Sequence, residues 1–357
     1  MRRPSRLVLV LVLALCSSAC AANTGAAAQP VPVIYDGDMD VDDAAALAVL
    51  CAAHKQHRVD LLAVTVDNNG FGVAGRALVH ARAILNQCGL PNVPTADGAN
   101  GTARQIPATV RDKYDAAMTN ALSDGDARTP PATSTAAELL AKTITDAPTE
   151  VTVVATGTLT NLADALRSQP TTAGAASGGL ANRIKGLYYM GGAVSVPGNL
   201  LGSAVKDFDN SQECNVWLDP ASARQVFQAV RPGATHLVPL DASSSLPITP
   251  KYVDSLGTDG TTPSSQIVHK IMTQPAVADA INRRRLYWSD VLAALWSFGN
   301  GDGGIAHAQS ERIDVVLDGR QSGRTTASPA GTDMQVAAKP DQGQFEQTFL
   351  DALNGRY

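Results

Sequence analysis

Cysteine is scarce. Past Cys20 only Cys51, Cys88 and Cys214 remain in the 357-residue chain, too few for a disulfide scaffold at this length. One bridge is expected at most, Cys51 to Cys88, since each lies at the end of an early helix; the alternative is two buried thiols. Basic charge is short as well. The formal net charge is −5, and loss of Arg2, Arg3 and Arg6 with an N-terminal leader takes it to −8, which argues against nucleic acid as a partner. No apolar run after the leader is long enough to span a membrane. No His-x-x-x-His or paired-Cys spacing calls for zinc, and His54, His57 and His80 read as surface or packing residues of the early helices.

The leader itself is clear. Arg2, Arg3 and Arg6 precede the apolar stretch Leu7 to Leu15 and then Ser17-Ser18-Ala19-Cys20, a secretory signal pattern over residues 1–20. The last four residues also resemble a bacterial lipobox, with Ser17 where Leu is usual. Either Cys20 is lipidated, which would be the only membrane contact, or the leader is cleaved nearby. Residues 21–30 form a small-residue tether, and 31–357 are enough for one large α/β domain.

Residues 36–43, Asp36-Gly37-Asp38-Met39-Asp40-Val41-Asp42-Asp43, crowd five carboxylates into eight positions. Mutual repulsion at that density calls for a cation, and hard carboxylate oxygens favour Ca²⁺ or Mg²⁺. The apolar run Val31-Pro32-Val33-Ile34-Tyr35 before them reads as a buried strand and Ala44 to Cys51 after them as a helix. The acids therefore sit in a strand-to-helix turn, where open α/β folds place ligands. An EF-hand is excluded, because a register starting at Asp36 has Val41 at its Gly position and Leu47 at its Glu position. Asp42 or Asp43 could cap the helix, but capping needs one Asp. An Asp-x-Asp phosphotransferase turn is the remaining rival.

The rest of the chain alternates strands and helices. Strands are expected at Val59 to Val66, Val151 to Ala155, Ile184 to Met190, His236 to Leu240 and Ile313 to Leu317. Helices are expected at Ala74 to Gln87, Leu159 to Arg167, Pro220 to Ala229 and Phe345 to Leu353. The pattern implies an α/β fold, an open and mostly parallel central sheet covered by helices on both faces. Ser123 to Ser134 and Gln321 to Gly331 read as surface loops.

Each expected strand end carries a partner for the acid turn: Asp67-Asn68-Asn69-Gly70, Thr156-Gly157-Thr158-Leu159-Thr160-Asn161, and Met190-Gly191-Gly192. Gly198-Asn199, Asp209 to Asn215, and Asp290 follow. Taken together they supply a cation site ringed by amides and carboxylates, suited to a polyhydroxylated ligand.

The ordered set Asp36-x-Asp38-x-x-x-Asp42-Asp43, Ala155-Thr156-Gly157-x-Leu159-Thr160-Asn161, Met190-Gly191-Gly192, Gly198-Asn199 and Glu213-Cys214-Asn215 with Asp219-Pro220 resembles the inosine-uridine-preferring nucleoside hydrolase family. The resemblance covers nearly all of the chain after the leader. It implies a nucleoside hydrolase-like, Rossmann-like fold and cleavage of the N-glycosidic bond of ribonucleosides. Carried onto matching positions, it implies Ca²⁺ held by Asp38, Asp43 and Asp290 and by the carbonyl of Thr156. Asp38 would double as general base. Asp42, Asn199, Glu213, Asn215 and the backbone of Met190 would surround the ribose, with Asn69 near metal and sugar. A silent nucleoside-binding surface protein on the same fold is the alternative, and association of copies stays open.

Three departures stand out. Asp40 occupies a Gly position, so the turn either tolerates a side chain or recruits one more carboxylate. Cys214 replaces an aromatic. Ser289 stands before Asp290 where purine-cleaving relatives carry a proton-donating His, which leaves Tyr287 and Trp288 to stack on the base or, for Tyr287, to donate a hydrogen bond.

Overall fold

The computed structural model describes residues 29–122, 134–168, 179–200, 208–299 and 305–356. The expected leader, Cys20, most of the tether and nearly all of the loop from Ser123 lie outside the described residues. Strand β1 (Val31–Gly37) leads into helix α1 (Val41–Lys55), and β2 (Val59–Val66) into α2 (Arg76–Gln87). Next come β3 (Thr95–Asp97), α3 (Ala108–Leu122), α4 (Ala136–Asp146), β4 (Val151–Ala155) and α5 (Thr160–Ser168). Strand β5 (Ile184–Met190) is followed by α6 (Cys214–Leu218), α7 (Pro220–Ala229), β6 (Thr235–Val238) and α8 (Leu240–Ser243). A run of helices follows: α9 (Pro250–Thr258), α10 (Pro263–Met272), α11 (Pro275–Asn282) and α12 (Ser289–Phe298). Strands β7 (Ala308–Val315), β8 (Thr325–Ala327) and β9 (Thr332–Ala337) and helix α13 (Gln342–Leu353) complete the order.

The strands form a nine-stranded sheet in the order β3-β2-β1-β4-β5-β6-β9-β7-β8. Pairings from β3 through β6 to β9 are parallel, and β7 runs antiparallel to β9 and β8. The expected parallel sheet is therefore present, with an antiparallel margin. Strand β1 is apolar on both faces because both are covered: Val33, Ile34 and Tyr35 are fully buried, as a central parallel strand requires. Helix α1 is buried from Val41 to Ala53. Its alanines 44, 45, 46 and 48 let neighbouring helices approach closely, while Leu47 and Leu50 fill the space between them. Truncating such a leucine to alanine costs roughly 2–5 kcal/mol.

Some expected boundaries move for physical reasons. The strand expected to reach Leu240 stops at Val238, because Pro239 opens α8. Helix α2 starts at Arg76, after Gly75 in the left-handed region at φ +78°. The strand expected from Ile313 to Leu317 instead spans Ala308–Val315. The expected loop from Gln321 to Gly331 contains β8, which pairs with β7 through Val315 and Thr325.

Strand order reverses between β1 and β4, the place where an open sheet leaves a crevice at its carboxyl edge. Three strand ends are level there. Asp36 pairs with Ala155 and Gly37 with Val66, and beyond them Thr156 N–H donates to Asp36 O at 2.9 Å and Asp67 N–H to Gly37 O at 2.9 Å.

Candidate active site

The five acids of the turn separate into distinct tasks. Asp36 is buried inside the sheet, its Oδ1 accepting from Thr65 Oγ1 at 2.8 Å and Asn161 Nδ2 at 2.9 Å. Burial pushes its carboxyl up to about 6. Asp40 is the N-cap of α1, and Asp43 Oδ2 accepts from the Asp40 N–H at 3.2 Å to close a capping box. Capping thus falls to Asp40 rather than to Asp42 or Asp43 alone. The side chain at the expected Gly position is tolerated because Asp40 has an extended φ of −63°, while Met39 takes the left-handed φ of 57°.

The other three acids meet Asp290 and Thr156. Asp38 Oδ2 accepts from the Phe71 N–H at 2.8 Å. Asp42 Oδ2 accepts from the Asp290 N–H at 3.3 Å, which ties the turn to the first residues of α12. Asp43 Oδ1 accepts from the Tyr35 hydroxyl at 2.8 Å and from Thr156 Oγ1 at 2.7 Å. All four carboxylates are buried. Burial and then repulsion from Asp43 push Asp42 up to about 7. Asp38 and Asp290 are held well above the usual carboxylate range, first by burial and then by neighbouring acids.

Such a set of buried oxygens fits a hard divalent cation, whose charge would relieve both the burial and the repulsion. Among the described residues no three acidic, His or Cys groups already stand in metal-ligand geometry.

Amides and one further acid border this cluster. Asn215 Nδ2 donates to Thr156 O at 2.9 Å and to Met190 O at 3.2 Å. Glu213 caps α6, accepting from the N–H groups of Asn215 at 2.9 Å and Val216 at 3.1 Å, and also from Gly192 N–H at 2.9 Å. Asn199 Oδ1 accepts from Cys214 N–H at 2.8 Å. Hydrogen bonds and short loops thus join Asp38, Asp42, Asp43, Thr156, Met190, Asn199, Glu213, Asn215 and Asp290 in one site.

Asn69 is held by its own set of hydrogen bonds next to Gly70, which abuts Asp38. Its Oδ1 accepts from the N–H groups of Gly101 and Thr102 at 2.8 and 3.2 Å, and its Nδ2 donates to Thr158 and Thr160 hydroxyls at 3.4 and 3.2 Å. It lines a cleft of about 530 Å³ with residues 99–104, Thr160, Asp164 and Leu218–Pro220.

Three neighbours were not evident from the sequence: Tyr35, which reads as strand core, and Phe71 and Tyr114. Asp67, named with the strand-end partners, was given no role of its own. Asp67 is buried, and its two oxygens accept from Asn69 N–H at 3.1 Å and Thr158 N–H at 2.8 Å. Phe71 and Tyr114 form an edge-to-face pair at 6.0 Å, and Phe71 packs on the cluster that contains Cys214. For Phe71 the available signal was an aromatic directly after the strand-end turn Asp67-Asn68-Asn69-Gly70.

Two expectations are corrected. Trp288 does not face the base: it is fully buried, with ring contacts to Phe349 at 5.0 Å and Tyr252 at 5.9 Å. Tyr287 donates its hydroxyl to Arg284 O at 3.4 Å. Cys51 and Cys88 are buried free thiols, not a bridge, and Cys88 Sγ lies 3.5 Å from Ser264 Oγ.

Fold and site together define an open α/β protein with a buried acid-and-amide site at the carboxyl edge of its sheet. The chain belongs to the inosine-uridine preferring nucleoside hydrolase family, whose profile matches residues 33–347. It is 32% identical over 202 residues to a pyrimidine-specific ribonucleoside hydrolase RihA of Citrobacter koseri, covering 55% of this chain and 56% of that protein. The match thus spans about half the length of that relative. Nucleoside hydrolase 3 of Arabidopsis thaliana is 24% identical over 366 aligned positions, covering 83% of this chain and 40% of that protein. The crystal structure of a Bacillus anthracis inosine-uridine preferring nucleoside hydrolase shares the fold, with TM-score 0.75, 22% identity and coverage of 91% and 99%. A purine-preferring ribonucleoside hydrolase from Gardnerella vaginalis does too, with TM-score 0.70, 19% identity and coverage of 91% and 98%.

Proposed function

We propose that this chain is an exported ribonucleoside hydrolase that uses Ca²⁺ and releases ribose and a free base. The observation that carries the reading is the buried convergence of Asp38, Asp42, Asp43 and Asp290 beside Thr156. Family membership supports the reaction class. The leader supports export, and residues 31–357 are taken as one catalytic domain.

A divalent cation held by Asp38, Asp43, Asp290 and the Thr156 carbonyl would keep these acids ionised, grip the 2′- and 3′-hydroxyls and acidify a neighbouring water. Phe71 N–H holds Asp38 Oδ2 and so fixes the direction of the other oxygen. That carboxylate takes the proton as water oxygen bonds to C1′. The C1′–N bond breaks with its electron pair moving to the base, through an oxocarbenium-like sugar stabilised by the surrounding carboxylates. Asp42, Glu213, Asn199 and Asn215 orient the ribose, and Phe71 with Tyr114 offers the base an aromatic wall.

Incubation of the purified protein with a panel of nucleosides, with detection of free base and reducing sugar, tests the reading. Chelation is expected to abolish turnover and added Ca²⁺ to restore it; full activity after exhaustive chelation, with no bound metal detected, removes the cation from the mechanism.

A further inference from the structure

Tyr35 and Gly37 lie two residues apart on β1 and so point to the same face of the strand. Above Gly37, oxygens from three separate segments meet. Tyr35 donates its hydroxyl to Asp43 Oδ1 at 2.8 Å, and Thr156 Oγ1 lies 2.7 Å from that carboxylate oxygen and 2.8 Å from the phenol. All three bonds are buried, and Tyr35 is fully so. A Cβ added at Gly37 would stand 2.3 Å from Asp43 Oδ1, 2.6 Å from Tyr35 Oη and 2.7 Å from Thr156 Oγ1. The ring of oxygens therefore occupies the volume that any other residue at 37 would need.

We infer that Tyr35 is a positioning residue for the cation site: its hydroxyl fixes Asp43 and Thr156 relative to each other, and the missing side chain of Gly37 leaves room for this ring of oxygens. The inference rests on reading Asp43 and Thr156 as cation ligands. Asp43 comes from the first turn of α1 and Thr156 from the loop after β4, and a direct hydrogen bond of 2.7 Å joins their side chains. The buried phenol braces that bond, because its oxygen reaches both groups while its ring is locked in the sheet. Hydrogen-bonding partners behind a ligand set its direction, and losing one typically costs 10–100-fold in affinity.

Calcium binding by calorimetry on metal-free protein is the test. Tyr35→Phe is expected to raise the Kd for Ca²⁺ by roughly 10–100-fold, while kcat at saturating calcium falls by much less. Gly37→Ala is expected to weaken binding too, and the double variant to lose less than the two single losses combined, because removal of the phenol oxygen relieves one of the three close contacts of the new Cβ. Thermal unfolding of each metal-free protein reports folding, and Thr156→Val tests the same ring if Tyr35→Phe does not fold. An unchanged Kd in Tyr35→Phe, or a loss accounted for by a smaller folded fraction, overturns the inference alone. A parent protein that binds no Ca²⁺ overturns the cation reading together with it.

Discussion

Asp38 holds two offices in the proposed mechanism, base and ligand, so Asp38→Asn should lower kcat by at least the roughly 10²–10⁴-fold that loss of a general base brings. Asp42→Ala, which loosens the ribose and the contact to Asp290, should act mainly on KM. Parent-like turnover by Asp38→Asn would move the base to another residue. Ser289 opens α12 beside Asp290, and a serine hydroxyl is too weak an acid to replace an imidazolium at a departing purine. Uridine should therefore be cleaved faster than inosine, with Ser289→His narrowing the gap in kcat/KM; inosine preferred by the parent would mean that another acid serves the base. Charge density marked the acid turn, while the family resemblance singled out Asp38, Asp42, Asp43, Thr156 and Asp290, residues that the fold brings close together. Tyr35 was not readable, because a phenol in a strand looks like core until its hydroxyl's partners, 8 and 121 residues away, are known. Trp288 misled for the reverse reason: its place in sequence beside Asp290 says nothing of the opposite direction in which its ring packs.

At the scale of elements, the cap of α1 has a cost that can be measured. Asp40→Ala should destabilise the protein by roughly 0.5–2 kcal/mol, the usual range for a lost N-cap, read as a lower urea midpoint without metal. An unchanged midpoint would mean that Asp43 alone closes the helix. Long periodic segments such as β2, β4, β5 and α7 were legible to the residue, since each runs uninterrupted between turn residues. Strands of three residues, β3 and β8, offer too few alternations to be seen. Helices α9 and α10 were missed despite a real signal: each begins with a Thr cap followed by Pro in the first turn, at Thr249-Pro250 and Thr262-Pro263.

Across the whole molecule, stability should carry the mark of one histidine. His236 on β6 stacks on Tyr188 at 4.2 Å and meets Trp296 edge-on at 5.0 Å, with Nδ1 lacking a hydrogen bond. Burial pushes its pKa down to about 4. The unfolded chain takes up that proton near 6.5, so the folded state is favoured fully above this value and progressively less as pH falls toward 4. His236→Phe keeps the stack and should flatten this part of the pH dependence. Denaturation midpoints of parent and variant at about pH 7.5 and about pH 5 decide it; parallel shifts in both proteins would assign the slope to other groups.

The sheet's margins have a consequence of their own. It ends in β3 on one side and β8 on the other, each three residues long. Strands that short cover only part of the strand inside them: β3 pairs with Val64 to Val66 of β2 and β8 with Ile313 to Val315 of β7, so the rest of β2 and β7 forms the true edge of the sheet. A strand added at either margin would pair with β2 or β7, never with β1 or β4, which are paired on both sides, so the spacing of Asp38 and Thr156 would be left untouched by assembly.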